Sequence, residues 1–186
     1  MNLLLVREII PDMQAPDFGA AFMRHMESKT NPAVRSASTN AWALLAEGLN
    51  RMKLPLPEVG FSETGKPFFR NSPLHFSLSH SGQYAAVLIA GSPCGVDIEQ
   101  VREIRDGLIA RCMHPEEIAA GMDFVEAWTK KECIAKLDGV GMRSRPNAVN
   151  SLEYAGWFTK RMTDCEGGKY QLSAFCANEE EIQCKF

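Results

Sequence analysis

Two carboxylates stand two residues apart in the segment Val96-Asp97-Ile98-Glu99. Side chains two apart in a strand face the same side, so Asp97 and Glu99 would project together, with their backbones roughly 7 Å apart. Neighbouring carboxylates repel each other unless one is protonated or a cation lies between them, and oxygen ligands without nearby Cys or His suit Mg²⁺. The pair therefore indicates either a magnesium site or the solvated polar face of an edge strand.

A second group of charged residues lies on the helix predicted from about Asp123 to Leu137. At about 100° per residue, Lys131 and Glu132 fall within or beside the apolar stripe of this helix, whereas Glu126 and Lys130 project away from it towards solvent. The stripe is formed by Phe124, Ala127, Trp128, Ile134 and Ala135. Because a buried charge needs a partner, Lys131 and Glu132 are candidates for a binding site.

Lys136 follows Glu132 by four residues, a spacing that a helix-stabilising ion pair of a few tenths of a kcal/mol would explain. Such a pair does not explain why Lys131 lies in the apolar stripe. A bound phosphate would account for both lysines, and a metal would account for Glu132. The helix therefore favours a phosphate and metal site, with a simple ion pair as the alternative.

A histidine and two serines stand at the end of another predicted strand, in Ser79-His80-Ser81. His80 continues the even-numbered apolar face of that strand, where a single histidine is usually structural. Hydroxyl and imidazole groups can also hold a phosphate, and the following Gly82 permits close approach of the backbone. Both interpretations are open from these residues alone.

The elements that must position these residues follow a similar order in each half of the chain. Each half has a predicted helix and hairpin, which indicates an α+β fold with antiparallel sheets rather than a Rossmann-type alternation. The predicted helices are Asp17 to Glu27, Ala33 to Met52, Glu103 to Ala120 and Asp123 to Leu137. The predicted strands are Met1 to Ile10, Leu74 to Ser79, Tyr84 to Ala90, Gly95 to Glu99, Trp157 to Cys165 and Lys169 to Ala177.

The overall composition narrows the classes of function. Twenty basic and 23 acidic side chains give a net charge of −3 without a long run of either sign, which argues against a nucleic-acid binder. No segment has the roughly 20 apolar residues needed to cross a bilayer, and the start lacks a basic leader and a cleavage site. The six cysteines form no C-x-x-C pair, so neither a zinc ribbon nor a redox motif is indicated. We expect a cytoplasmic protein with reduced thiols.

The motifs occur in a set order along the chain. They are Gly65-Lys66-Pro67, Phe76-Ser77-Leu78-Ser79-His80-Ser81, Gly95-Val96-Asp97-Ile98-Glu99, and Trp128-Thr129-Lys130-Lys131-Glu132 with Lys136. This set resembles the 4′-phosphopantetheinyl transferases, in their larger, pseudo-dimeric, surfactin-synthetase-transferase type, over about Arg35 to Met142. The resemblance implies two similar α/β half-domains, at residues 1–100 and 101–186, related by a pseudo-twofold axis. A monomer would then form the active-site cleft between its two halves.

The resemblance also implies a reaction and a set of roles. The chain would transfer the 4′-phosphopantetheine group from coenzyme A to a serine of an apo acyl or peptidyl carrier protein, releasing 3′,5′-ADP. Asp97, Glu99 and Glu132 would hold Mg²⁺, and Glu132 would deprotonate the serine directly or through a water on the metal. The residues implied to contact coenzyme A are Ser79, His80, Lys131 and Lys136 at its phosphates, Lys66 and Pro67 at the adenine, and Arg35 near the 3′-phosphate.

Two parts of the sequence depart from the family pattern. Before Arg35, only Arg24 and Lys29 offer further basic residues for the 3′-phosphate, and Val140 stands where a lysine is frequent. Carrier proteins of this kind present an acidic helix, so we expect a basic or apolar docking surface. The candidates are Arg102, Arg105, Arg111, Arg143 and Arg145, which would equally serve as solubilising charges.

Two other functions remain open. A metal-dependent nuclease or phosphohydrolase would also need clustered carboxylates and a lysine, but its common pattern ends in E-x-K, and here Gln100 and Val101 follow Glu99. A non-catalytic protein that binds coenzyme A or a carrier is the other alternative. The intact set of three proposed metal ligands argues against it.

Overall fold

The computed structural model describes residues 2–139, 141, 145–178 and 180–186. Its strands are β1 (Asn2–Glu8), β2 (Val59–Phe61), β3 (Pro67–Phe69), β4 (His75–Ser81), β5 (Tyr84–Ala90), β6 (Cys94–Gln100), β7 (Phe158–Thr163), β8 (Lys169–Cys176) and β9 (Ile182–Lys185). Its helices are α1 (Ala20–Glu27), α2 (Pro32–Arg51), α3 (Asp106–Cys112), α4 (Pro115–Ala119) and α5 (Phe124–Asp138), with short 3₁₀ turns at Pro146–Ala148 and Ser151–Glu153. Val140, Met142 and Arg143, which the sequence analysis singled out, lie outside the described residues.

The described strands form two larger sheets and a small ribbon. One sheet has the order β4-β5-β1-β9, the other has the order β6-β8-β7, and β2 pairs with β3. The pairs are antiparallel except β1 with β9, which run parallel. Because β9 joins the first strand of the chain, and β6 joins two strands from beyond residue 150, each large sheet contains strands from both sides of residue 100. The division at residue 100 stays a prediction.

Leu3 to Val6 of β1 are all apolar, and their side chains point alternately to the two faces of the four-stranded sheet. Both faces are therefore buried. Leu3 and Leu5 belong to a core beneath α2 that includes the buried Trp42. Leu4 and Val6 belong to a second core, which is shared with β6 and β8. Helix α5 lies against β6 and β8. These contacts confirm the mixed α+β class, with one long helix on each large sheet.

Local sequence sets the ends of the two long helices. The side chain of Asn31 accepts hydrogen bonds from the first amides of α2, and Pro32 takes the first helical position. Asp123 caps α5 in the same way. Helix α5 ends at Gly139, whose φ of 70° lies in the left-handed region that favours glycine.

Three parts of the predicted secondary structure were wrong. Strands β2 and β3 were not predicted, because three-residue strands carry little periodic signal. The region from Glu103 to Ala120 forms the two short helices α3 and α4 instead of one helix, because Pro115 disfavours helical backbone at the preceding residue. Strand β9 was missed because a four-residue segment carries little periodic signal, and its pairing partner lies at the other end of the chain. No helix within the described ranges is long and apolar enough to span a bilayer.

Candidate active site

The acidic pair lies on β6 beneath α5. The helix can approach this strand closely because residue 95 is glycine, and a Cβ there would overlap the carbonyl group of Cys133. Asp97 is buried by this packing, and Glu99 is half-buried. Both carboxylates accept a hydrogen bond from a serine of β4, so they share one side of the strand, as the spacing predicted.

Among the described residues, hydrogen bonds reach only one of the two carboxylate oxygens of Asp97. Its Oδ1 accepts a hydrogen bond from Ser79 Oγ at 2.7 Å and one from Lys136 Nζ at 2.7 Å. Lys136 Nζ also donates to the carbonyl of Val96 at 2.8 Å. Asp97 Oδ2 is buried and accepts no hydrogen bond from any residue that the structure describes. A cation or an additional donor would satisfy this oxygen.

The charge of Asp97 acts on the other two acids assigned to the metal. Burial, followed by the negative charge of Asp97, raises the pKa of Glu132 and the pKa of Glu99. Burial alone would lower the pKa of Lys136, but the Asp97 carboxylate raises it above its ordinary value. The acids and Lys136 therefore form one electrostatically coupled group.

This donor set fits a hard divalent cation. Carboxylate oxygens are the ligands that Mg²⁺ prefers, and Asp97 Oδ2 has no donor among the described residues. Burial, together with repulsion from Asp97, raises the pKa of both Glu99 and Glu132. Over residues 2–139, 141, 145–178 and 180–186, no three His, Cys, Asp or Glu side chains are already gathered into a metal-binding group. The assignment of the three ligands therefore stays a prediction.

A cavity of about 430 Å³ opens beside the acidic group. Glu132 and Lys136 line it, and the start of β3 supplies Pro67. Aromatic rings from Trp42, Phe61 and Phe76 form part of its wall. The basic residues that line it are His25, Lys29, Lys66, His80 and Lys136. The cavity thus combines aromatic surface with positive charge.

Several of the basic groups repel one another across this cavity. Burial lowers the pKa of Lys29. Burial and the charge of Lys29 lower the pKa of His25, and burial with the charges of Lys29 and Lys136 lowers the pKa of His80. Among the described residues, no ion pair joins Lys29 to an acid. An anion bound between these groups would relieve their repulsion.

The guanidinium of Arg35 contacts backbone carbonyls at and just beyond the end of α1. Its Nε donates to the carbonyl of Lys29 at 2.9 Å, and its Nη2 donates to the carbonyl of Glu27 at 3.2 Å. The guanidinium therefore satisfies carbonyls at the end of α1, and Arg35 is not among the residues that line the cavity. Lys29, named above only as a possible substitute, lines the cavity instead.

Lys131 has partners within the protein that the sequence did not reveal. Its side chain is fully enclosed, and its Nζ pairs with the equally enclosed Glu117 at 2.9 Å. The same nitrogen donates to the carbonyls of Pro146 and Val149. The argument for a phosphate at this lysine was an unpaired buried charge, and Glu117 removes it. Lys131 also does not line the cavity.

Glu117 is held ionised by the contacts around it. Its Oε1 accepts hydrogen bonds from the backbone amide of Ser151 at 2.8 Å and from its hydroxyl at 2.7 Å. Burial alone would raise the pKa of Glu117, but the bonds from Ser151 and Lys131 lower it below its ordinary value. The pair fixes α5 to α4 and to the segment that follows α5.

The predicted orientation of Lys130 and of Trp128 on α5 was wrong. Lys130, predicted to face solvent, is only 8% exposed. Its Nζ pairs with Glu126 at 2.8 Å and lies 5.6 Å from the ring centroid of Trp157. Trp128, assigned to the apolar stripe, is only partly buried. Helix α5 is covered on more sides than a helix on one sheet would be, so a single apolar stripe does not describe it.

Lys66 and Pro67 both line the cavity, but Lys66 also contacts helix α5. Pro67 lines the wall, and its place beside the adenine stays a prediction. Lys66 also lines the cavity, but its Nζ donates to the carbonyl of Leu137 at 2.8 Å. Its aliphatic chain lies against Gly139, where a Cβ would come within 2.8 Å of it. Lys66 therefore joins the β2–β3 turn to the end of α5.

A second, more apolar groove of about 370 Å³ begins at Glu99. It is lined by Ile104, Leu108, Cys112, Phe124, Val125 and Trp128, with Arg102 among its polar residues. Glu132 lines the first cavity and Glu99 lines this groove. The coupled acids therefore stand between the two spaces.

Sequence analysis missed two features of the site. His25 lines the cavity and stacks on Phe61 with ring centroids 4.6 Å apart, but no pattern around it signals this. The groove depends on helices α3 and α5 coming together, which no local motif reports. By contrast, the alternation of serines at 77, 79 and 81 is visible in the sequence.

Comparison with known proteins identifies the family. The model of the 4′-phosphopantetheinyl transferase superfamily matches residues 93–185. The chain is 36% identical over 119 residues to the 4′-phosphopantetheinyl transferase AcpT of Salmonella typhi, which covers 57% of this chain and 60% of that protein. It is 29% identical over 126 residues to the 4′-phosphopantetheinyl transferase psf-1 of Bacillus pumilus, covering 61% of this chain and 54% of that protein. These matches thus span less than two thirds of each relative. The chain belongs to the 4′-phosphopantetheinyl transferase superfamily.

Proposed function

We propose that this chain transfers the 4′-phosphopantetheine group from coenzyme A to a serine hydroxyl of an apo carrier protein and releases 3′,5′-ADP. The observation that carries the proposal is the position of the coupled acids and Lys136 beside a cavity with aromatic and cationic walls. Membership of the superfamily supports the same reaction.

The cavity offers complementary surfaces for the nucleotide part of coenzyme A. Trp42, Phe61 and Pro67 supply flat, apolar surface for the adenine. Lys29 supplies positive charge for the 3′-phosphate, and His25 and His80 add to it when protonated. This assignment replaces Arg35 with Lys29 as the lysine or arginine nearest the 3′-phosphate.

At the reacting end, Asp97, Glu99 and Glu132 would hold Mg²⁺. When bound, the metal would neutralise charge on the pyrophosphate of coenzyme A. Lys136 lines the cavity and donates to Asp97 through one of its three N–H groups, so it can place a further N–H on a phosphate oxygen. Because phosphoryl transfer depends mainly on positioning and charge stabilisation, this lysine would orient the donor as well as stabilise it.

Glu132 is our candidate for the general base. Its raised pKa makes its carboxylate a better proton acceptor than an exposed glutamate, and it lines the cavity beside Lys136. The serine hydroxyl would lose its proton to Glu132 as its oxygen attacks the β-phosphorus. The bond from that phosphorus to the bridging oxygen would break, and 3′,5′-ADP would leave.

The apolar groove beyond Glu99 suits the incoming carrier protein. Leu108 lines both this groove and an adjoining hollow, where Arg105 and Arg111 are also found. Arg102 lines the groove itself, together with the acidic Glu99 and Glu103. A carrier helix with acidic and apolar residues would match the three arginines and the apolar surface. Arg145 is exposed but does not line either space.

We extend the proposal to the architecture and the setting of the protein. One long helix on each large sheet is compatible with two half-domains related by a pseudo-twofold axis. The cavity is lined by residues of a single chain, which is compatible with a monomer. The six cysteines are free, as expected in the reducing cytoplasm.

The proposal is tested by incubating an apo carrier protein with the chain, coenzyme A and Mg²⁺, and measuring the carrier's mass. A gain of one phosphopantetheine arm on serine, lost with EDTA, is the expected result. Asp97→Asn should reduce the rate by about 10²–10³-fold because it removes charge that holds the cation. The exposed Glu153→Gln serves as the matched control and should transfer normally.

Other outcomes of this experiment would favour the rival functions. Binding of coenzyme A without transfer to any carrier protein in a panel of acyl and peptidyl types would favour a non-catalytic protein. Hydrolysis of nucleic acid or of phosphate esters without coenzyme A would favour a metal-dependent hydrolase. Either result would contradict the proposed transferase.

A further inference from the structure

Three serines of β4 form a ladder of hydrogen bonds along β6. Ser77 Oγ accepts from the amide of Val96 at 3.1 Å. Ser79 Oγ accepts from the amide of Ile98 at 3.3 Å, and Ser81 Oγ accepts from the amide of Gln100 at 3.1 Å. The two strands belong to different sheets and advance in the same direction. The serine hydroxyls therefore take the place of backbone carbonyls and join the two sheets at their edges.

Two of the three hydroxyls also hold the acidic pair. Ser79 Oγ donates to Asp97 Oδ1 at 2.7 Å, and Ser81 Oγ donates to Glu99 Oε2 at 2.9 Å. A serine hydroxyl has one hydrogen to donate, so neither serine can donate to a phosphate while it makes this bond. Ser79 is moreover only 8% exposed. These contacts differ from the phosphate contact that the resemblance implied for Ser79.

We propose that Ser79 and Ser81 are positioning residues, which orient the carboxylates of Asp97 and Glu99 towards the divalent cation. The inference rests on the proposed function, because it concerns the cation of that same site. Each serine fixes one oxygen of its carboxylate and, through the adjacent amide, the strand that carries it. At Asp97 the other oxygen is left without a donor among the described residues. Groups that orient metal ligands in this way typically change metal affinity by about 10–100-fold when removed.

The ladder contains its own control at Ser77. This serine makes the same kind of bond to the backbone of β6, but the residue that corresponds to Asp97 and Glu99 is Gly95, which has no carboxylate. Ser77→Ala therefore removes one rung of the ladder without releasing an acid. If the serines are purely structural, substitution should change Mg²⁺ affinity similarly at all three positions. If they position the carboxylates, substitution should change it only at Ser79 and Ser81.

The experiment measures Mg²⁺ binding by titration calorimetry on the full chain saturated with coenzyme A, without carrier protein. Coenzyme A affinity is measured separately with EDTA, and the melting temperature is recorded for each variant. We expect Ser79→Ala and Ser81→Ala to weaken Mg²⁺ binding by about 10-fold or more. Their affinity for coenzyme A, measured in EDTA, should stay within about twofold of the wild-type value. Ser77→Ala should keep the Mg²⁺ affinity within about twofold of the wild-type value. It should lower the melting temperature about as much as Ser79→Ala and Ser81→Ala do.

Three results would overturn the inference. Equal loss of Mg²⁺ affinity in Ser77→Ala would show a structural role alone. Weaker coenzyme A binding in EDTA for Ser79→Ala, with Mg²⁺ affinity unchanged, would restore the phosphate contact. Mg²⁺ binding that none of the variants changes would leave the proposed function intact and remove only the positioning role. If the wild-type complex binds no Mg²⁺, the metal-dependent function fails as well, so the two failures are distinguishable.

Discussion

Lys131 and Lys136 stand five residues apart on α5, and the same resemblance assigned both to phosphates. The Lys131 side chain is 0% exposed, and its three N–H groups meet Glu117 and two carbonyls. The Lys136 side chain is 28% exposed, and its partners account for two N–H groups, at Asp97 and the carbonyl of Val96. Only Lys136 lines the cavity.

The difference shows that burial of a charge on a helix does not by itself mark a binding site. A lysine whose three donors are occupied is part of the scaffold, whereas a lysine with a donor left over and an open cavity in front of it can hold a ligand. The comparison predicts that Lys131 serves stability and Lys136 serves binding and transfer. Each prediction below tests one side of it.

The largest expected effect is on stability, from Lys131→Met. The change leaves the buried Glu117 carboxylate without its cation, which should lower the free energy of unfolding by about 3–5 kcal/mol. Chemical denaturation followed by fluorescence measures it. Glu117→Leu combined with Lys131→Met should recover much of the loss, because no charge is then left unpaired. A variant as stable as wild type would break the comparison.

The counterpart, Lys136→Met, should act mainly on transfer. We expect the rate to fall by about 100-fold, since a cation facing the reacting phosphates is lost, with less loss of stability than in Lys131→Met. Rates of carrier modification and unfolding curves from one preparation give both quantities. Should Lys136→Met transfer normally while unfolding as easily as Lys131→Met, the assignment of the two lysines would be reversed.

A smaller effect is expected from a second pair of basic residues, Lys29 and Arg35. Lys29 lines the cavity, whereas Arg35 does not. Lys29→Ala should weaken coenzyme A binding by about 10-fold, because it removes a charged contact to the 3′-phosphate. Its affinity for 3′-dephospho-coenzyme A should not change. Arg35→Ala, whose guanidinium faces carbonyls of α1, should bind both ligands like wild type. If Arg35→Ala, rather than Lys29→Ala, no longer distinguishes coenzyme A from 3′-dephospho-coenzyme A, Arg35 would again be assigned to the 3′-phosphate.

The smallest expected effect concerns pH and His25. Burial and Lys29 lower its pKa below 6.5, so the folded protein takes up this proton less readily than the unfolded chain. The ligand-free protein should lose stability as pH falls from above 6.5 through the folded pKa. Coenzyme A affinity should rise over the same range, because protonated His25 adds positive charge. Thermal melts from pH 7.5 to 5.5, with His25→Gln as the comparison, measure both trends.

Periodicity and capping signals predicted most of the elements that position the site. Residues 33 to 52 were predicted as a helix and form α2, and the hairpin of β4 and β5 was anticipated within two residues at each end. These segments succeed because their apolar spacing and end signals are local. Strand β9 failed because its pairing with β1 joins the two ends of the chain. The break at Pro115 was available in the sequence but was not used.

Within the site, sequence alone determined which side chains could do chemistry. The strand period puts Asp97 and Glu99 on one side, and the ordered motifs indicate the superfamily that comparison then showed. Only the tertiary structure decided how each charge is used. Glu117, 14 positions earlier, neutralises Lys131. Ser79 donates its hydrogen to Asp97, and Arg35 donates to a carbonyl just beyond the end of α1. A side chain's role depends on which donors and acceptors remain after folding, and those partners come from segments that no local pattern connects.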